Sequence, residues 1–294
     1  MEPVVKTELV FLTGDHRSFR GSRFLRARQL CRITQKRLDG LGVQVRTSSE
    51  PDEVSGAVVI LNKSFLAVAS AEQLSSLRAR GNAVLADFID HPVNPDLAQM
   101  VDGFLASSYT QERFLQAAFA KQPTFRVLHH ADLRIEADCA RGAQSRIGYF
   151  GQAYNGLHIE QLAADGLCDN VHAGRVEAAE WMARLPDYAI HYTVRAPQPF
   201  DGFKPFTKGA VAARCGALVL AQRDEESLLN LGADYPFLLS STAYDDVRAA
   251  ILRIRHSQDS PEWQAAHEAM RNLRVQCAPG RIARSVGRAF AAFR

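Results

Sequence analysis

No two cysteines in this chain are spaced as C-x-x-C, and none sits at metal-ligand spacing from a histidine. That removes zinc ribbons and dithiol redox motifs from consideration. The five cysteines, Cys31, Cys139, Cys168, Cys215 and Cys277, are odd in number and scattered, which implies free thiols in a reducing compartment. The first eight residues carry Glu2, Lys6 and Glu8 and lack the apolar centre of a signal peptide. No apolar run approaches the ~18 residues that would span a membrane. The expectation is a cytoplasmic protein. Low-complexity segments and repeats of solenoid length are absent too. Neither the G-x-G-x-x-G fingerprint nor the G-x-x-x-x-G-K-[ST] loop occurs, so the two commonest glycine-rich phosphate loops are excluded.

What is present reads as an ordinary globular chain. Its 294 residues are 47% hydrophobic and 23% charged, enough for two domains with sizeable cores and no staple. A net charge of +3 does not support a nucleic-acid-binding protein. Only the last fourteen residues are locally basic, with Arg281, Arg284, Arg288 and Arg294 and no acid. A solvated helix face is the plain reading of that segment, and a touch to an anionic membrane surface is the sharper one.

Short apolar runs alternate with amphipathic stretches from end to end. Leu9–Thr13, Val43–Arg46, Gly56–Leu61, Ala83–Phe88, Gly103–Ala106 and Phe125–Leu128 read as strands, with helices such as Ser22–Leu38 and Thr110–Ala120 between them. The small, polar stretch Glu136–Ser145 reads as a linker. A second series follows: strands at Arg146–Phe150, Ala189–Thr193 and Ala217–Ala221, and helices at Glu225–Leu231, Tyr244–His256 and Ser260–Gln276. This order predicts an α/β chain of two Rossmann-like domains, each with a parallel sheet, facing a cleft. The expected boundaries are 1–138, 139–278 and a terminal helix, 279–294, that packs back on the first domain.

In such sheets ligands sit outside the carboxyl ends of the strands, so the loops after strands carry the candidates. The richest stretch is Asp201–Leu220, DGFKPFTKGAVAARCGALVL. Lys204 and Lys208 lie four apart and share one face if both are helical. Pro205 suits a first helical turn, and Cys215-Gly216 ends the helix. Two cations and a Thr207 hydroxyl beside free helix N–H groups make a place for a phosphate. Gly151 and Gln152, after the strand at 146–150, permit close backbone approach to the same anion. Thr193 and Arg195 end another strand, where a nucleobase or ribose can be met. Tyr192 beside them has the blander reading of core.

The first half supplies candidates for acid–base work. Asp15 and His16 follow the first strand, and Asp90 and His91 follow the fourth. Either residue type can take a proton from a hydroxyl when its pKa is tuned. Solvated turns are the alternative at both places. Arg23 and Arg26 near the start lie on one side of a helix and suit an acidic substrate, or are exposed helix arginines. His129, His130 and Asp132 form a ligand-facing loop or a polar exit from a strand. No third ligand near Asp90 and His91 makes a metal site.

Together these segments resemble the GT-B glycosyltransferases, in particular those of family 4, or group 1. Gly21–Arg26 resembles their acceptor-side helix. Asp87–Asp90, Ala106–Ser108 and Leu128–Asp132 resemble the run out of their first domain. Arg146–Gly151 resembles the glycine turn of their donor domain, and Lys204–Leu220 the diphosphate-holding helix and strand. The final helix after Pro279-Gly280 resembles their crossing helix. The likeness spans nearly the whole chain through loose motifs. It departs at one point: many retaining members carry two glutamates eight positions apart, and alignment on Cys215-Gly216 puts those at Phe203 and Val211.

The resemblance implies transfer of a sugar from a nucleotide-diphosphate donor to a hydroxyl acceptor, carbohydrate or lipid-linked. Cell-surface polysaccharide or glycoconjugate synthesis is the implied setting. Gly151, Gln152, Lys204, Thr207 and Lys208 would hold the diphosphate, Thr193 and Arg195 the base or ribose. Arg17, Arg23 and His91 would bind the acceptor, and Asp15, His16 or Asp90 would take its proton. No metal and no cofactor are expected, since lysines and a helix N-terminus can take a metal's place. Three other readings stay open: a two-domain ligand-binding protein, a catalytically idle partner-binding relative, and a sugar-nucleotide epimerase.

Overall fold

The computed structural model describes residues 7–15, 19–173, 177–197 and 203–294. They form two compact units. The first comprises described residues 7–130, 203–205 and 278–294, and the second 131–173, 177–197 and 206–277.

The first unit is built on six parallel strands: β1 (Glu8–Leu12), β2 (Gln44–Ser48), β3 (Val58–Asn62), β4 (Ala83–Asp87), β5 (Gly103–Ala106) and β6 (Thr124–Arg126), in the order β2-β1-β3-β4-β5-β6. Every residue of β3, β4 and β5 is buried, as expected where helices cover both faces of a parallel sheet. The chain passes from β1 to β2 on one side and then crosses to β3 on the other. The order therefore reverses between β1 and β3, which opens a crevice at the carboxyl ends of those two strands.

The helices of this unit are α1 (Arg20–Ser22), continued by a π-helical segment, Arg23–Gln29, then α2 (Leu30–Leu38), α3 (Lys63–Leu66), α4 (Ala71–Ala79), α5 (Pro95–Gln99) and α6 (Tyr109–Ala118). Their starts follow local chemistry. Ser70 and Gln73 form a reciprocal capping box on α4, and Asn94 and Ser108 cap α5 and α6 through their side chains.

The second unit has five parallel strands: β7 (Ile147–Phe150), β8 (Asp169–Val171), β9 (Ile190–Tyr192), β10 (Leu218–Gln222) and β11 (Leu238–Leu239), in the order β11-β10-β9-β7-β8. Here the order reverses between β7 and β9. Its helices are α7 (Ile159–Ala164), α8 (Ala178–Ala183), α9 (Thr207–Cys215), α10 (Glu225–Leu231), α11 (Tyr244–His256) and α12 (Pro261–Gln276). Ala210, Ala212 and Ala213 let α9 lie close on the sheet, while Trp263, Ala266, Met270 and Leu273 form the buried stripe of α12.

The segment read as a linker is a packed part of this unit. Asp138 and Ala140 donate backbone hydrogen bonds to the carbonyls of Arg214 and Cys215 at 2.9 Å each. Small, polar composition marked it as a loop, but these bonds satisfy the last carbonyls of α9 and hold it down.

The last helix, α13 (Pro279–Ala291), returns to the first unit and packs on α2. Ile282, Ala283, Val286, Ala289 and Phe290 recur at helical spacing and are all buried. Arg281, Arg284, Arg288 and Arg294 are exposed, so the basic end forms a solvated face. Among the described residues no helix is long and apolar enough to cross a membrane.

Candidate functional site

The loops after β7 and β9 leave the reversal point of the second sheet, and they meet around Tyr149. This side chain is buried, and its hydroxyl donates to the Gln152 carbonyl at 2.9 Å. The ring occupies the space that side chains at 151 and 156 would need. A Cβ on Gly151 would stand 2.8 Å from the Tyr149 hydroxyl, and one on Gly156 would stand 2.8 Å from its ring and 2.3 Å from Ile159. Both positions therefore demand glycine, and the backbone lies bare over the ring.

Backbone pairing locks the two loops together. Gly156 bridges Arg195, Ala196 donates to Asn155 at 3.2 Å, and Leu157 donates to Val194 at 3.2 Å. The Tyr192 hydroxyl adds a bond to the Leu157 carbonyl at 2.9 Å, so it serves the core and this lock.

The start of α9 comes to the same place. Lys208 puts its ammonium 4.9 Å from the centre of the Tyr149 ring. Thr207 is the first residue of the helix, and Phe206 at the cap position carries no side-chain oxygen to cap it. The positive end of the helix dipole and the lysine thus add at one point. Arg195 is half-buried nearby, and its charge acts on the Tyr149 hydroxyl. Burial outweighs it and pushes that hydroxyl up to about 12, so Tyr149 stays a neutral donor.

Of the residues singled out in this half, Gly151, Gln152, Arg195, Thr207 and Lys208 therefore lie on the loops and helix end around Tyr149. Thr193 adjoins them, but its side chain is buried and its hydroxyl donates to the Leu220 carbonyl at 3.0 Å.

Lys204 differs from expectation. Helix α9 begins at Thr207, after Pro205, so Lys204 and Lys208 do not share a helical face. The physical reason is Pro205, whose ring disfavours helical backbone in the residue before it. Lys204 belongs to the first unit, where its charge acts on Asp90. Phe203, one of the two positions aligned with the family glutamates, also lies there. Its carbonyl accepts from the Ser108 hydroxyl at 2.9 Å, and its ring stands 4.7 Å from that of Phe114. Val211, the other position, packs against the core of the second unit.

In the first unit the loop after β1 is held to α3. The Gly14 amide donates to the Ser64 hydroxyl at 3.1 Å. A Cβ at Gly14 would fall 2.4 Å from the Ser64 carbonyl oxygen, so nothing larger fits. Asp15 is exposed and pairs with Arg23 at 2.9 Å. His16 and Arg17 lie outside the described residues.

Asp90 forms an ion pair with Lys63, at the start of α3. The Lys63 ammonium also stands 4.8 Å from the Phe19 ring, and His91 meets that ring edge-on at 5.7 Å. Burial acts to push the Asp90 carboxyl up, but the charge and hydrogen bond of Lys63 and the charge of Lys204 outweigh it. The carboxyl is held below its ordinary range. Ile89, just before it, has a φ of 61°, an uncommon conformation for a β-branched residue. Its carbonyl accepts from the Gln111 amide at 2.6 Å.

Arg26 is not an exposed helix arginine. It is fully buried and grips Asp87 through two bonds, 3.0 and 3.1 Å, while donating to the carbonyls of Val127 and Leu128. His130 bonds Gln29 at 3.0 Å, and burial, with the Arg26 charge, pushes His129 down to about 4. Both histidines are interior residues rather than a polar exit.

Three residues at these loops escaped sequence reasoning: Tyr149, Lys63 and Ile89. The strand-end rule would have pointed to Lys63, which follows Asn62 at the end of β3. Nothing local marks Ile89.

No protein-family model matches the sequence, and no curated protein matches it. Solved structures do match in shape. A glycosyltransferase from Rickettsia africae ESF-5 aligns with a TM-score of 0.66 at 10% identity, covering 98% of this chain and 98% of that one. The apo lipopolysaccharide outer core galactosyltransferase WaaB aligns at 0.63 and 11% identity, over 97% of this chain and 99% of that one. Anabaena Alr3699/HepE in complex with UDP aligns at 0.61 and 11% identity, over 97% of this chain and all of that one. Similarity this remote in sequence bears on architecture: the chain has the GT-B fold, and its structural neighbours over nearly its full length are GT-B glycosyltransferases.

Proposed function

We propose that the protein transfers a sugar from a nucleotide-diphosphate donor to a hydroxyl acceptor without needing a metal. The observation that carries this reading is the Lys208 ammonium 4.9 Å over Tyr149, at the start of α9 and beside the bare backbone of Gly151. A diphosphate there meets a lysine, a helix N-terminus and the Thr207 hydroxyl together. These groups neutralise the charge that grows on the leaving diphosphate as the glycosidic bond breaks.

The residues take roles accordingly. Gly151, Gln152, Thr207 and Lys208 hold the diphosphate, and the turn from Thr193 to Arg195 faces the ribose or base. Lys204 is assigned to the first unit instead, because its charge acts on Asp90. Arg17, Arg23 and His91 serve the acceptor. The proton acceptor is Asp15, His16 or Asp90. Asp90 stays ionised at neutral pH beside Lys63, so it can accept a hydrogen bond from a hydroxyl but is a weak base.

Neighbours in complex with UDP and with UDP-glucose support a nucleotide-sugar donor. The lipopolysaccharide galactosyltransferase among them supports cell-surface polysaccharide or glycoconjugate synthesis. The free cysteines support a cytoplasmic setting.

A second reading is a catalytically idle relative, and one observation favours it. The positions of the family glutamates are Phe203 and Val211, both engaged in packing. Incubation with UDP- and GDP-sugars and a panel of carbohydrate and lipid-linked acceptors separates the two. The proposal expects acceptor-dependent release of a nucleoside diphosphate. Donor binding without release is the result of the idle relative. Return of an isomerised nucleotide sugar without acceptor would mean an epimerase.

A further inference from the structure

Cys139 and Cys215 are far apart in sequence and adjacent in the second unit. Two backbone bonds bracket Cys139: Asp138 donates to the Arg214 carbonyl and Ala140 to the Cys215 carbonyl, both at 2.9 Å. These bonds lay Cys139 alongside Cys215, backbone against backbone. Both are free, with Cys215 fully buried at the end of α9 and Cys139 half-buried.

The residues next to the pair border an open space. Asp138 and Ala140, which flank Cys139, and Gly216, which follows Cys215, line a cavity of about 320 Å³. Trp263 and Met270 of α12 form part of its wall, and Arg141 and Arg274 stand at it. Asp138 itself has a φ of 59° and takes an ion pair from Arg274, so the backbone is held in a strained turn at this place. A small oxidant that enters the cavity arrives at the residues that flank both cysteines, of which Cys139 is the less buried.

We propose that Cys139 and Cys215 are an oxidation site, at which a hydroperoxide converts the two thiols to an intramolecular disulfide. In the first step the Cys139 thiolate attacks the peroxide oxygen, the O–O bond breaks, and Cys139 becomes a sulfenic acid as the peroxide leaves as an alcohol or water. In the second the Cys215 sulfur attacks the sulfenic sulfur. The S–O bond breaks, the Cys215 proton goes to the departing hydroxide as water, and the S–S bond forms. Two thiols are oxidised and one peroxide is reduced.

The division of roles follows from the surroundings. The Cys215 thiol beside it favours the Cys139 thiolate and holds its pKa below the usual range. The neighbouring Cys139 and burial push Cys215 up, so it remains the thiol that resolves the sulfenic acid. Cys168 and Cys277 are buried and pushed up to about 12, and burial raises Cys31 as well. None of these three competes as a nucleophile. The inference stands independently of the proposed function.

The test uses the full chain, reduced and then treated with hydrogen peroxide. Remaining thiols are alkylated under denaturing conditions, and the digest is mapped by mass spectrometry. The expected result is loss of two of the five thiols in the monomer, a cross-linked peptide joining Cys139 to Cys215, and full recovery with dithiothreitol. Cys215→Ser should stop at a trappable sulfenic acid on Cys139. Cys139→Ser, at a half-exposed position that leaves the core intact, should keep all its remaining thiols. Five intact thiols in the wild type, a cross-link elsewhere or between chains, or irreversible oxidation of Cys139 with Cys215 still reduced would each overturn the proposal.

Discussion

Arg26 and Asp87 form a two-bond ion pair from which solvent is wholly excluded, with both side chains 0% exposed. The arginine leaves a π-helical segment and the aspartate ends β4, so the pair ties the first helical stretch to the centre of the sheet. Its remaining N–H groups reach the carbonyls of Val127 and Leu128, which ties in the end of the last strand as well.

Removing one partner strands the other charge in the interior. Asp87→Ala is therefore expected to cost about 3–5 kcal/mol of stability. Replacing both with apolar residues of similar size should cost less than the sum of the single changes. Urea denaturation of the two singles and the double reads this directly. Additive losses would show that the pair is not coupled.

Gly14→Ala tests the loop after β1. Elsewhere alanine is the easier residue, but here its Cβ would stand 2.4 Å from the Ser64 carbonyl oxygen, a backbone atom that cannot swing away. The loop and α3 must separate, at about 1–3 kcal/mol. Denaturation should show that loss. Gly21→Ala, where a Cβ would meet nothing within 4 Å among the described residues, serves as the control without the clash.

Stability should fall as the pH is lowered below neutrality. His191 is buried against Phe150, its Nε2 has no hydrogen-bond partner among the described residues, and burial pushes it down to about 3. In the unfolded chain a histidine takes up its proton near pH ~6.5. Between the two values the unfolded state binds a proton that the folded state refuses, so acid favours unfolding there. Each such group gives a slope of about 1.4 kcal/mol per pH unit. His191→Phe should remove that much slope between pH ~6.5 and pH ~3. Chemical denaturation across that range checks it, and an unchanged slope would mean that His191 is not buried neutral.

Much of the fold was legible because parallel strands announce themselves as short apolar runs. Glu225–Leu231 and Tyr244–His256 occur as read, and Gly151, Gln152, Thr207, Lys208 and Arg195, singled out from strand ends and a helix start alone, lie around Tyr149. What failed was what depends on partners far along the chain. Lys63 meets Asp90 across 27 positions and Arg26 meets Asp87 across 61, separations to which local periodicity is blind. The misplaced start of α9 had a local cause that could have been applied, since Lys204 precedes Pro205. The tight contact at Gly209 could not have been seen. It arises because the Phe206 ring folds back to within 1.9 Å of where a Cβ would be.

On the proposed function, the start of α9 beside Tyr149 holds a nucleoside diphosphate. Calorimetric titration of UDP and GDP into the wild type and Lys208→Ala tests it most directly. One charge-assisted hydrogen bond is worth about 1.5–3 kcal/mol, so the variant should bind roughly 10- to 100-fold more weakly while keeping its melting temperature. Equal affinity in the two proteins, or no binding of either nucleotide to the wild type, would rule out a diphosphate site at Lys208.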